Sequence, residues 1–159
     1  MKRWGEIALA NNLANPDAPK PVTPVTAAMQ HRASEHEEQV ALFEWAAMAQ
    51  AEHPELAMLF AIPNGGQRHP AVAAQLKAEG VRAGVPDLFL AVARGISGGK
   101  VYHGLFVELK RADHSNHTTP AQNEWIDRLR HYGFAVVVAY GADEAINMIT
   151  TYLAQDGAA

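Results

Sequence analysis

Leu105-Phe106-Val107-Glu108-Leu109-Lys110 closes the run Val101 to Lys110, and its reading decides the fold. Successive side chains of a strand point to opposite faces. Leu105, Val107 and Leu109 therefore share one face, and Phe106, Glu108 and Lys110 share the other. Two apolar faces are expected of a central strand covered by helices on both sides. One of these faces turns charged at its end, where a buried carboxylate or ammonium needs a partner. Upstream, Leu88 to Ala93 is a second strand pattern, preceded by Pro86-Asp87. Between the two runs, Arg94-Gly95-Ile96-Ser97-Gly98-Gly99-Lys100 reads as a hairpin loop. A hairpin brings its far ends together, so Asp87 converges with Glu108 and Lys110.

Working outward, Ser34 and Glu37 stand in capping-box spacing and open a helix that should reach about His53, before Pro54. Val40, Phe43 and Ala47 form its apolar stripe, widened by Leu42 and Ala46. Leu56 to Ile62 reads as a short buried strand, ended by the turn residues Pro63-Asn64-Gly65-Gly66. His69-Pro70 begins a second helix, and Gly80 suits the position past its end. After a polar stretch, Arg111 to Thr118, a second capping box at Thr119-Pro120-Ala121-Gln122 starts a helix that ends at Gly133. Phe134 to Tyr140 is a β-branched strand, and Ala142 to Leu153 is a last helix. The order is helix, strand, helix, strand, strand, helix, strand, helix. It predicts an α/β fold, a four-stranded mixed sheet with helices on its faces. Residues 1–33, with Pro16, Pro19, Pro21 and Pro24, read as a flexible proline-rich tail, and 34–155 as the folded domain.

The chain has 159 residues, enough for one domain with a real core. It has no cysteine, which excludes a disulfide framework, thiolate zinc sites and a cysteine nucleophile. No apolar run reaches the roughly 18 residues that span a bilayer, and no secretory signal follows Met1-Lys2-Arg3. A soluble cytoplasmic protein without a membrane partner is expected. The net charge of −4 argues against a protein that coats nucleic acid through basic residues. Its distribution tempers that reading. Glu35, Glu37, Glu38, Glu44, Glu52 and Glu55 fall in a segment with no Lys or Arg, while residues 61–132 are mildly basic.

Two carboxylates, backbone carbonyls and water make the ligand set of a hard ion such as Mg²⁺ or Mn²⁺. Asp87 and Glu108 supply such a pair. Lys110, about 6–7 Å along the strand from Glu108, would hold an attacking water and neutralise transition-state charge on a phosphodiester. A third carboxylate from the first helix would complete the site. A plainer reading stays open on these residues alone: Asp87 caps a turn, and Glu108 and Lys110 form a solvated pair at a strand end.

Several segments together resemble the VRR-NUC nucleases of the PD-(D/E)xK superfamily. They are Glu35-His36-Glu37-Glu38-Gln39, Ile62-Pro63-Asn64-Gly65-Gly66-Gln67-Arg68, Gly80-Val81-Arg82-Ala83-Gly84-Val85-Pro86-Asp87-Leu88, Val107-Glu108-Leu109-Lys110, and Thr119-Pro120-Ala121-Gln122 leading to Trp125. The resemblance covers about residues 34–153. It implies a restriction-endonuclease-like core and a Mg²⁺- or Mn²⁺-dependent DNA endonuclease, often acting on branched, flapped or four-way junction DNA. By motif, it makes Asp87 and Glu108 metal ligands, with the Leu109 carbonyl as a further one. Lys110 becomes the catalytic lysine, Gln122 an active-site neighbour, and a helix-one glutamate the outer carboxylate. Glu35 fits that last position best, with Glu38 as its rival and Glu37 left to the capping box. Gln122 is equally explained by its own capping box. Asn64, Gly65, Gly66 and Arg68 are candidates to line the DNA groove, and Arg82 to contact phosphate. His114 and His117 read as solvated loop histidines, and Trp45 and Trp125 as core. A homodimer, or a replication or recombination partner protein, would supply substrate choice, and the compact size suggests a phage or mobile-element setting. A restriction-like or general nicking enzyme and a non-catalytic DNA- or protein-binding module are the competing functions.

Overall fold

The structure, a computed structural model, describes residues 33–63, 70–96 and 99–155. In chain order its elements are α1 (Glu35–Ala49), a 3-10 turn (Pro54–Met58), β1 (Leu59–Ala61), α2 (Pro70–Ala78), β2 (Leu88–Leu90), β3 (Arg94–Ile96), β4 (Lys100–Tyr102), β5 (Leu105–Lys110), α3 (Pro120–His131), β6 (Ala135–Tyr140) and α4 (Ala142–Leu153). The mixed α/β architecture is as expected. The main sheet runs β1-β2-β5-β6, antiparallel up to β5 and parallel between β5 and β6. Nearly all of residues 1–33 lie outside the described residues, as do Asn64, Gly65, Gly66 and Arg68.

Strand β5 is central, and its alternation is as predicted. Leu105, Val107 and Leu109 are buried with Leu88 and Leu90 against Leu42 and Ala46 of α1 and Ala145 and Ile149 of α4. The opposite face carries a cross-strand aromatic row, Phe60, Phe89 and Phe106, in register across β1, β2 and β5. Phe89 and Phe106 stack with centroids 4.3 Å apart, and Phe134 meets both edge-on. Offset and edge-on contacts are what the aromatic quadrupole favours. The charged site begins where this row ends.

Three sequence expectations need correction. Residues 56–58 wind into the 3-10 turn that Pro54 opens, and only Leu59–Ala61 is strand. A short apolar run does not separate strand from helix by periodicity. The long hairpin is also broken: β2 stops at Leu90, and β3 and β4 form a separate two-stranded ribbon. The break has two non-local causes. Arg94 is buried, ion-paired to Glu55 at 2.6 Å and donating to the Leu153 carbonyl. Gly104 lies so close to Phe89 that a Cβ there would fall 2.5 Å from its ring. Finally, α1 ends at Ala49 and buries Leu42 and Ala46, whereas Val40 and Ala47 are exposed. The apolar residues of α1 surround it, so their spacing fixed no single face.

Candidate active site

Register sets the site. Leu88 of β2 pairs with Val107 of β5, so the next step places Asp87 opposite Glu108. Directly opposed residues share a face, so the two carboxyl groups face each other, and the Asp87 charge acts on Glu108. Asp87 is delivered by a shaped loop. Gly84 has φ +88°, and a Cβ on it would sit 2.7 Å from the Ala121 carbonyl oxygen and 3.0 Å from the Trp125 ring. Only glycine combines that backbone with that approach. Trp125 holds the same loop by donating from Nε1 to the Ala83 carbonyl at 3.1 Å. It is thus a half-buried brace, and Trp45 packs on the core as expected.

Glu108 is 0% exposed and Lys110 5%. Lys110 Nζ lies 2.7 Å from Glu108 Oε1 and 3.9 Å from Glu35 Oε1. It also donates to Gln122 Oε1 at 3.4 Å. Gln122 serves the helix and the site together. Its Oε1 accepts from the Thr119 N–H at 2.8 Å, closing the capping box, while its Nε2 donates to Glu108 Oε1. The capping geometry of α3 therefore aims the amide that orients Glu108.

Leu109 N–H donates to Asp87 Oδ2 at 2.9 Å. In a strand, the N–H and C=O of one residue in a parallel ladder point to the same edge. Lys110 turns its carbonyl toward β6, where it accepts from Gly141 N–H at 2.9 Å. The Leu109 carbonyl accordingly points the other way, toward Asp87, where β2 has not yet begun.

The rival helix-one glutamates separate cleanly. Glu35 reaches the site, near Lys110 and accepting from the Asn116 side chain. Glu38 instead accepts from the Ala142 N–H at 2.8 Å and caps α4. Glu37 completes the Ser34 capping box. Asn116 was missed by sequence reasoning. Its Oδ1 accepts from Arg111 N–H at 3.1 Å and its amide holds Glu35. One asparagine in a polar loop has no periodic signal to mark it. Arg82 is exposed, lining a groove of about 440 Å³ with Val81, Val85 and Trp125. A concavity of about 650 Å³ beside β6 and α4 contains none of these site residues.

Burial drives the electrostatics. It pushes the Glu108 carboxyl up to about 7, with the neighbouring Asp87 charge adding to the rise and Lys110 opposing it. Burial also raises Asp87, against the pull of the Leu109 N–H and Lys110. Two facing carboxylates beside one ammonium leave an excess of negative charge that a proton or a further cation would offset. Glu108 Oε2 is buried with no hydrogen-bond partner among the described residues. A buried acceptor without a donor is costly, and a hard cation would satisfy it. No group of three histidine, cysteine or acidic side chains among the described residues is gathered for a metal. The two carboxylates and the neighbouring Leu109 carbonyl offer only oxygen donors, a set that fits an oxygen-seeking ion completing its shell with water.

A four-stranded mixed sheet with Glu108 and Lys110 on β5 and Asp87 just before β2 has the architecture of the restriction-endonuclease-like class. The VRR-NUC domain model matches residues 27–143, and the chain belongs to that family. A solved structure described as a VRR_NUC domain protein is 33% identical, with a TM-score of 0.65, over 79% of this chain and 92% of its own. No curated protein matches. No helix among the described residues is long and apolar enough to cross a membrane.

Proposed function

We propose that the chain is a Mg²⁺- or Mn²⁺-dependent DNA endonuclease selective for branched, flapped or four-way junction DNA. One observation carries the reading: buried Glu108 faces Asp87, with one oxygen taken by Lys110 and Gln122 and the other without a donor. Asp87, Glu108 and the Leu109 carbonyl would hold the ion, with Glu35 as the outer carboxylate. When bound there, such an ion would supply Lewis-acid polarisation of the phosphoryl oxygen and charge neutralisation at the leaving oxygen.

The chain's own groups do the rest. Lys110 is held by Glu108 and Gln122, so its ammonium enters the reaction already oriented. It donates to the attacking water and lowers the energy of negative charge building on the phosphoryl group, a preorganised electrostatic contribution. Gln122 keeps Glu108 in its rotamer, and Asn116 keeps Glu35 beside Lys110. Arg82, with Asn64, Gly65, Gly66 and Arg68, would contact the DNA backbone, fixing its position rather than reading bases. A homodimer would present two sites to one junction, and a replication or recombination protein would recruit the enzyme inside the cell.

Incubating the full chain with labelled flaps, four-way junctions, duplex and single strands in Mg²⁺, Mn²⁺ or EDTA tests this. Cutting of branched substrates in either metal but not in EDTA is expected, with Asp87→Ala and Lys110→Ala inactive. Equal cutting of plain duplex points to a general nicking enzyme, and binding without cutting to a non-catalytic module. An Asp87→Ala variant as active as wild type would sink the site assignment. Light scattering that gives a monomer, also with junction DNA bound, would remove the dimer.

A further inference from the structure

We propose that His114 and Tyr140 form a stacking shelf for one unpaired nucleobase beside the scissile phosphate, an inference that rests on the nuclease reading above. Position comes first. Tyr140 is the register partner of Lys110 across the parallel β5–β6 pair. Paired residues of neighbouring strands share a face, about 4.8 Å apart. Tyr140 thus stands next to Lys110 on the face that carries Asp87 and Glu108. The loop after β5 folds back over it. The His114 ring lies on the Tyr140 ring with centroids 4.0 Å apart and planes 20° from parallel. His117 Nδ1 is 3.4 Å from Tyr140 Oη, which holds the far end of the phenol.

The backbone indicates that the stack is built rather than incidental. Among the described residues, His114 is the one non-glycine with positive φ, at 55°. Histidine tolerates this region better than most residues, but glycine enters it freely. An imidazole kept there puts a ring on Tyr140 that glycine would not provide. The loop is pinned on either side of it. Ser115 N–H donates to Asp113 Oδ1 at 2.9 Å, and Asn116 links Arg111 to the active-site Glu35. The imidazole is nonetheless exposed, so burial in a core does not account for its position.

A planar face open to solvent, one strand spacing from the lysine that would face the phosphate, suits the base attached to that phosphate. Aromatic stacking takes any base, because every base has a π-face. A base inside a duplex already has both faces covered and must leave the stack to be held this way. The shelf therefore selects flaps, frayed ends and splayed junction bases over continuous duplex, and gives structure selectivity a named origin.

The test uses the full-length chain and a duplex with a short single-stranded tail, carrying 2-aminopurine at one tail position after another. Ca²⁺ serves as the probe ion. The wild type should quench the probe at one position next to the junction. His114→Gly and His114→Asn, which both suit the backbone, should abolish that quench and weaken binding of the tailed DNA about tenfold. Their affinity for continuous duplex and their melting temperatures should not fall. Tyr140→Phe keeps the ring and should keep the quench. No quench at any position with the wild type, or an unchanged quench and affinity in both His114 variants, overturns the shelf. Cutting in Mg²⁺ without the fluorescence signature removes the shelf and leaves the nuclease. The signature without cutting in Mg²⁺ or Mn²⁺ upholds the shelf as a base-binding site and overturns the nuclease.

Discussion

Glu108 has one oxygen enclosed by Lys110 and Gln122 and a second that no described residue satisfies. Its proton is therefore held more tightly in the folded chain than in the unfolded one, with the carboxyl at about 7 against an ordinary 4.5. A carboxylate raised on folding favours the fold while it is protonated and penalises it once ionised. Stability of the metal-free protein should accordingly fall as pH rises from about 4.5 to about 7, then level off. Asp87, also raised, adds in the same direction. Urea melts in EDTA at successive pH values measure this, and Glu108→Gln should flatten the slope. A metal-free protein that gains stability across that interval contradicts the buried acidic pair. The neighbouring glutamates of α1 provide a second residue-scale contrast. Glu35→Gln should lower turnover about 10–100-fold, the usual effect of losing a group just outside a metal shell, with little change in melting temperature. Glu38→Ala should do the reverse. Its loss uncaps the Ala142 N–H and removes about 1 kcal/mol of stability, while turnover stays close to wild type. Thermal melts and single-turnover cleavage separate the two.

At the scale of elements, the loop from α2 to β2 is the part whose shape the chemistry depends on. Gly84→Ala would force a Cβ against the Ala121 backbone at 2.7 Å and hold a non-glycine residue at φ +88°. Strain and overpacking together should cost about 2 kcal/mol or more. Because Asp87 lies three residues on, cleavage should fall further than the melting temperature suggests. A Gly84→Ala protein with wild-type melting and cleavage would show that the loop is free to shift. This loop also marks where the sequence stops being legible. The β2–β5 pairing follows from the hairpin signal and the two faces of β5 from alternation, both local, and α3 follows from its capping box and Gly133. Convergence of Asp87, Glu108 and Lys110 was legible for the same reason. The separate β3–β4 ribbon was not, since Arg94 finds Glu55 and the Leu153 carbonyl far along the chain. The resemblance already favoured Glu35 over Glu38, but what draws Glu38 away, its bond to the Ala142 N–H, turns on where α4 begins in space. Asn116 acts through one side chain in an irregular loop, and the family motifs quoted above do not include it.

For the whole molecule, the acidic pair makes the fold's own stability a reporter of the ion. Net charge is −4, so general attraction to phosphate is weak, and the site gathers negative charge in its interior instead. A cation bound between Asp87 and Glu108, as proposed above, would offset their charge and remove a penalty that the metal-free fold carries once they ionise. Whatever binds the folded state and not the unfolded one stabilises it by mass action, about 2.7 kcal/mol at a hundred times Kd. For a domain of this size that corresponds to a rise of about 5–10 °C in Tm. Ion and proton compete for the same oxygens, so the rise should be large at pH 8 and small at pH 6, on either side of the Glu108 value of about 7. Calorimetry with Mg²⁺, Mn²⁺ and Ca²⁺ at both pH values tests this without any assay of cleavage. Asp87→Asn should lose the metal-dependent rise, and Glu38→Gln, whose side chain lies at the start of α4 rather than in the acidic pair, should retain it. A wild-type melting curve insensitive to all three ions at pH 8 would mean that the two carboxylates hold no metal.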